Sequence, residues 1–141
     1  MIEVLNRQRR CKIDAKQCRE FGEQALQAIG RNRRDATIVF VGDDAIKKLN
    51  RRFRGRNHAT DVLSFPFEAE AFEIQNQSHL GEIVISVQRA AAQARRNSLS
   101  FSNEVKQLIL HGLLHLCGYD HETDNGEMNR LELKLRKQLG I

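Results

Sequence analysis

The sequence predicts an α+β protein: a small mixed sheet of about four strands surrounded by about five helices, with a metal site on a helix in the C-terminal half. Three observations carry that reading. Short apolar runs, the clearest being Thr37-Ile-Val-Phe-Val41, alternate with capped helical patterns through the first half of the chain. After Ser86 no further strand pattern occurs, and three helical patterns follow in succession. Three of the five histidines fall within residues 111–121, at a spacing that suits a metal. With 141 residues the chain reads as one domain over 1–141, long enough for a core of its own.

In chain order, Ile2 to Leu5 is the first strand candidate. Asp14 caps a helix to about Ile29, with Gln17 completing a capping-box pattern, Cys18, Phe21, Gly22, Ala25 and Ile29 on the buried face, and Gly30 past the end. Thr37 to Val41 shows no polar alternation, which suits a strand covered on both faces. Gly42-Asp-Asp44 then turns into a helix with Ile46, Leu49 and Phe53 inward, stopped by Gly55. Two strand–helix–strand units in succession imply right-handed crossovers if their strands pair in parallel. Asp61 to Phe65 is the third strand, ended by Pro66, the only proline. Residues 67–80 form a polar, acidic loop of a length that often borders a site. Glu82 to Ser86 is the fourth strand, antiparallel to the third because no helix separates them. Ser86 caps a helix whose inner face is Val87, Ala90, Ala91 and Ala94.

The next helix runs from an N-cap at Ser102 to Cys117, with Val105, Leu108, Ile109, Gly112 and Leu116 at helical period and Gly118 as its stop. Asp124 and Glu127 form another capping box, and Met128, Leu131, Leu135 and Leu139 pack the last helix against the body.

His111 and His115 stand four apart on that helix, so their rings emerge roughly 40° around the axis and about 6 Å along it. Two imidazoles so placed can close on one ion at about 2.0–2.1 Å. Beyond the Gly118 turn the chain reverses, and His121 can return as a third ligand. Three neutral imidazoles with a fourth position open to water is the arrangement of a catalytic zinc site. The offsets match the metzincin pattern HExxHxxGxxH, but Gly112 stands where that pattern has its glutamate, so a metallopeptidase would lack its proton acceptor. Asp120, Glu82 and Asp61 are candidate general bases, and Asp120 is equally placed to orient an imidazole.

Charge is unevenly laid out. From Asn57 to Gln88 there is no Lys or Arg and five acidic residues, while the rest of the chain carries 23 basic against 13 acidic groups. Arg51, Arg52, Arg54 and Arg56 are the densest cluster, followed by Arg31, Arg33 and Arg34. Such a surface attracts polyanions, of which nucleic acid is the commonest. Taken alone, Arg54 reads equally as a cation at a helix C-terminus, worth a few tenths to one kcal/mol. Cys11, Cys18 and Cys117 are odd in number and lack a CxxC spacing, so they suggest no disulfide framework. No apolar run approaches the roughly 18 residues of a membrane span, and the N-terminus begins like a strand rather than a secretion signal. The expectation is a cytoplasmic protein with no membrane attachment.

The stretch His111-Gly-Leu-Leu-His-Leu-Cys-Gly-Tyr-Asp-His121, with Phe53-Arg-Gly55, Thr60-Asp-Val-Leu-Ser-Phe-Pro66 and Leu80-Gly-Glu-Ile-Val-Ile-Ser86, resembles the bacterial endoribonuclease YbeY family of rRNA maturation factors. These motifs span most of residues 50–121. The resemblance implies one Zn2+ held by His111, His115 and His121 and an arginine needed for activity, here Arg54; in a hydrolase its neighbours Arg51, Arg52 and Arg56 would mainly hold the RNA strand. It further implies single-strand-specific cleavage of RNA, a part in rRNA maturation and ribosome quality control, and association with the small ribosomal subunit. The alternative is a non-catalytic ribosome assembly factor whose zinc only fixes the fold.

Overall fold

A computed structural model describes residues 1–67 and 78–141; Glu68, Glu70 and Glu73 of the expected acidic loop lie outside them. Among the described residues the elements run β1 (Ile2–Asn6), α1 (Ala15–Ile29), β2 (Asp35–Val41), α2 (Asp43–Arg54), β3 (Val62–Pro66), β4 (His79–Ser86), α3 (Val87–Arg96), α4 (Phe101–Leu116) and α5 (Glu127–Leu139). The α+β class, the four strands and the five helices are as expected.

The strand order is β1-β2-β4-β3, with β1 parallel to β2, β2 parallel to β4, and β3 antiparallel to β4. The second strand–helix–strand unit is therefore not a parallel crossover. β4 takes the place beside β2 because Ile83, Val84 and Ile85 bury both of its faces. β3, which carries Ser64 and Pro66, lies at the edge, where a residue without an N–H breaks no ladder. β4 also begins at His79, three residues before the expected Glu82.

The sheet divides the interior into two cores of unequal size. On one face Ile2, Ile38, Phe40, Ile83 and Ile85 meet Leu26 of α1 and Ile109, Leu110 and Leu113 of α4. On the other, Val41, Leu63 and Val84 meet Ile46 of α2. At about 1.5–3 kcal/mol for each fully buried Leu or Ile, the first core carries most of the apolar stabilisation.

Phe53 is not inward: it is 57% exposed, and its ring meets Phe65 edge-on at 5.3 Å. Asn50 occupies the inward position instead, donating from Nδ2 to the His58 carbonyl at 2.9 Å, while residues 51–54 are all exposed. Helical period marks a face but not how far the core beneath it extends. The caps also shift. α4 starts at Phe101, with Ser100 Oγ accepting from the Asn103 N–H at 3.0 Å, so Ser102 lies inside the first turn and donates to Gln17 Oε1. Asp14 caps α1 by accepting from the Gln17 N–H, but the Gln17 side chain is taken up by Ser102. At α5, Asp124 accepts from the N–H groups of Gly126 and Met128, and Glu127 reaches Asn125 rather than Asp124. Among the described residues, no helix is long and apolar enough to cross a membrane.

Candidate metal centre and its cleft

α4 lies so close to the sheet that a Cβ on Gly112 would come within 2.8 Å of Ile83 Cγ2. The position of the metzincin glutamate thus has no room for a side chain; the glycine is there because helix and strand nearly touch. His111 and His115, one turn apart on α4, are half-buried beside this contact. Gly118 then takes φ +98°, a left-handed conformation that glycine adopts without strain, and its N–H donates to the His115 carbonyl at 3.0 Å. That turn returns the chain so that His121 faces the other two rings.

Ring centroids of the three histidines lie 4.7, 5.7 and 5.4 Å apart, and one nitrogen from each falls within 4.8 Å of the others. His111 Nε2 and His115 Nε2 are 3.2 Å apart. Two ligands at about 2.0–2.1 Å from a tetrahedral ion lie about 3.3 Å from one another, so the pair fits a zinc-sized ion without rearrangement. Burial first, then the neighbouring His111 and His121, hold the pKa of His115 below the usual histidine value. Keeping imidazole neutral favours metal over proton.

Behind His111 stands a residue that sequence reasoning missed. Glu132 of α5 is buried, and its Oε1 accepts from His111 Nδ1 at 2.6 Å while Oε2 accepts from Arg136. Burial pushes the Glu132 carboxyl up, but the His111 hydrogen bond and the His111 and Arg136 charges outweigh it, and the net direction is down. An ionised carboxylate only accepts, so His111 donates through Nδ1, which turns Nε2 toward His115 and the shared site. A signal was available: Glu132 sits four after Met128 and three before Leu135, a charge inside the apolar stripe of α5.

The histidines open onto a cleft of about 710 Å³ whose other wall is the end of α2 and strand β3, bringing Arg54 and Arg56 to the same space. Arg51 and Arg52 do not line it, and the Arg52 guanidinium lies over the Phe53 ring at 5.3 Å. Of the three acidic candidates, Asp61 and Asp120 line the cleft, whereas Glu82 lines a separate recess of about 300 Å³ with Phe67 and His79. Asp120 Oδ1 accepts from the Glu122 N–H at 2.9 Å, and the carboxylate bonded to an imidazole is that of Glu132. Asp61 Oδ1 accepts from the Val62 N–H and the Thr60 hydroxyl. Asn50 ties down the chain beyond Arg54 by taking the Arg56 N–H on its carbonyl as well as donating to His58.

Comparison with known proteins agrees with the geometry. The family model described as Endoribonuclease YbeY matches residues 3–140, so it extends from β1 through α5, well beyond the motifs of residues 50–121. The endoribonuclease YbeY of Syntrophus aciditrophicus is 37% identical over 138 residues, covering 98% of this chain and 86% of that protein. That of Nautilia profundicola is 46% identical over 108 residues, covering 77% and 74%. The solution structure of a Thermotoga maritima protein superposes with a TM-score of 0.66 at 28% identity, over 99% of this chain and 89% of the other. With a family match over nearly its whole length and relatives well above 30% identity, the chain belongs to the endoribonuclease YbeY family.

Proposed function

We propose that residues 1–141 act as a single zinc-dependent domain that cuts single-stranded RNA, serving rRNA maturation and ribosome quality control in the cytoplasm in association with the small ribosomal subunit. The observation that carries this reading is that one cleft joins three convergent imidazoles to Arg54. His111, His115 and His121 would hold the ion. When bound, the ion supplies Lewis-acid chemistry and lowers the pKa of a water from about 16 toward 7.

The chain's own residues do the rest. Arg54 faces the histidines across the cleft, where its paired N–H donors stabilise charge gathering on the phosphate oxygens. Arg56 holds the adjoining phosphate within the cleft, and Arg51 and Arg52 attract the strand from outside it. Of the acidic groups lining the cleft, which also include Glu122, we assign Asp61 and Asp120 to take a proton from the attacking hydroxyl, each held by a backbone N–H. The closed space at Gly112 leaves a peptidase without its base.

The test is cleavage of a labelled rRNA fragment presented single-stranded and as a duplex, with the product ends determined. Cleavage of the single strand alone supports the reading. A 5′-phosphate product assigns the nucleophile to water, and a cyclic phosphate assigns it to the 2′-hydroxyl of the RNA. No cleavage of either form by the zinc-loaded protein overturns it.

A further inference from the structure

Among the described residues Glu132 is the one buried acid that touches the candidate ligand set, and the roles given above to the cleft residues leave it without a function. It lies on α5, 21 residues from His111 in sequence, and reaches the ring from behind, on the side away from the shared nitrogens. A surface ion pair would need no such burial. Removing a carboxylate from water is costly unless pairing offsets it, and both oxygens here are paired, one with His111 and one with Arg136.

We infer that Glu132 is a positioning residue for the metal centre: it fixes His111 in the Nδ1–H tautomer and orients its Nε2 toward the site, with Arg136 holding the carboxylate in place. The inference rests on the zinc reading proposed above. Its physical basis is that a neutral imidazole carries one proton, and a carboxylate at Nδ1 determines which nitrogen that is. In the neutral ring the Nε2 lone pair then points into the site, toward His115. The same contact joins α5 to the last turns of α4, so loading the site and docking α5 stabilise one another.

The first measurement uses the metal-free wild-type protein. Long-range ¹H–¹⁵N correlation spectra of the histidine rings should show His111 protonated at Nδ1, and protonation at Nε2 would overturn the inference. Next, zinc affinity is measured by competition with a chromogenic chelator. Glu132→Ala should lower it about 10–100-fold and release His111 from the Nδ1–H form. Glu132→Gln, which keeps an acceptor oxygen without the charge, should lie between the two. Arg136→Met removes the second partner of the carboxylate: the thermal midpoint should fall, and zinc affinity should fall less than in Glu132→Ala because the His111 hydrogen bond remains. If folded Glu132→Ala keeps wild-type zinc affinity and the wild-type His111 tautomer, Glu132 only fastens α5 and the inference is wrong. Absence of zinc uptake by the wild type would overturn the metal assignment, and the tautomer of His111 would still decide the role of Glu132.

Discussion

The two walls of the cleft are built in different ways. The histidine wall is the end of α4, a helix with Leu110, Leu113 and Leu114 fully buried, pressed on the sheet at Gly112 and backed by Glu132. The arginine wall is the exposed last turn of α2, whose one fully buried apolar side chain is Ile46 in the smaller core. An ion needs ligands placed to a few tenths of an ångström, and the first wall supplies that rigidity. A flexible RNA strand needs charge that can follow it, and a long arginine on an open helix end supplies that. Changes in the first wall should therefore disturb metal binding, and those that touch its packing on the sheet, as at Gly112, should disturb stability as well. Changes at Arg54 should disturb chemistry alone.

The largest expected effect sharpens this contrast. His111→Ala, or chelation of the metal, should abolish cleavage while the fold persists, because the core beneath α4 does not depend on the ion; circular dichroism and the cleavage assay run together check it. Were the zinc structural, its removal would cost on the order of 10 kcal/mol and unfold the chain. Next is Arg54→Ala, expected to slow single-turnover cleavage by about 10²–10³-fold, the usual effect of losing one donor to developing charge, with an unchanged thermal midpoint. A fall in midpoint of several degrees would show that the second wall is as structural as the first.

Gly112→Ala tests the close approach of α4. Alanine gains about 0.5–1 kcal/mol of helix propensity. Forcing a methyl against the fully buried Ile83 costs about 1–3 kcal/mol. The second term should win, lowering urea stability by about 1 kcal/mol and weakening zinc binding. A more stable variant would mean that the helix simply moves away. Ser100→Ala, at the far end of α4, should cost about 1 kcal/mol through the lost cap and leave zinc affinity unchanged. The smallest effect is expected at Asp35, outside both walls. The N-terminal ammonium and the Ser78 hydroxyl hold its carboxyl below the usual value. A depressed folded pKa means stability present above the unfolded value of 3.8 and lost as pH falls through the folded one. Asp35→Asn should therefore lower the urea midpoint slightly at neutral pH, with the difference from wild type shrinking as pH falls below about 4, and leave cleavage at neutral pH untouched.

Much of the histidine wall was legible because its information is local. His111 and His115 are separated by one helical turn, Gly118 marks the reversal, and His121 follows three residues later. Glu132 was not legible as a partner, because the contact that explains its burial spans two helices and no spacing rule links them. Its place in the apolar stripe was the visible trace. The arginine wall was half legible. Charge density marked the segment, but which arginine enters the cleft depends on where α2 ends relative to β3, and composition does not separate Arg54 and Arg56 from Arg51 and Arg52. Phe53 failed for a related reason: its spacing from Ile46 and Leu49 is helical, yet the core beneath α2 stops short of it. Strand order needed the relative burial of β3 and β4, which emerges only when both compete for the place beside β2.

The division of labour between the walls is tested most directly by measuring zinc content and single-turnover cleavage on the same preparations of folded wild type, His111→Ala and Arg54→Ala, all at saturating single-stranded rRNA fragment. The account predicts one zinc and rapid cutting in the wild type, one zinc and little cutting in Arg54→Ala, and neither zinc nor cutting in His111→Ala. Cutting at the wild-type rate by His111→Ala, or loss of zinc from Arg54→Ala, would contradict it.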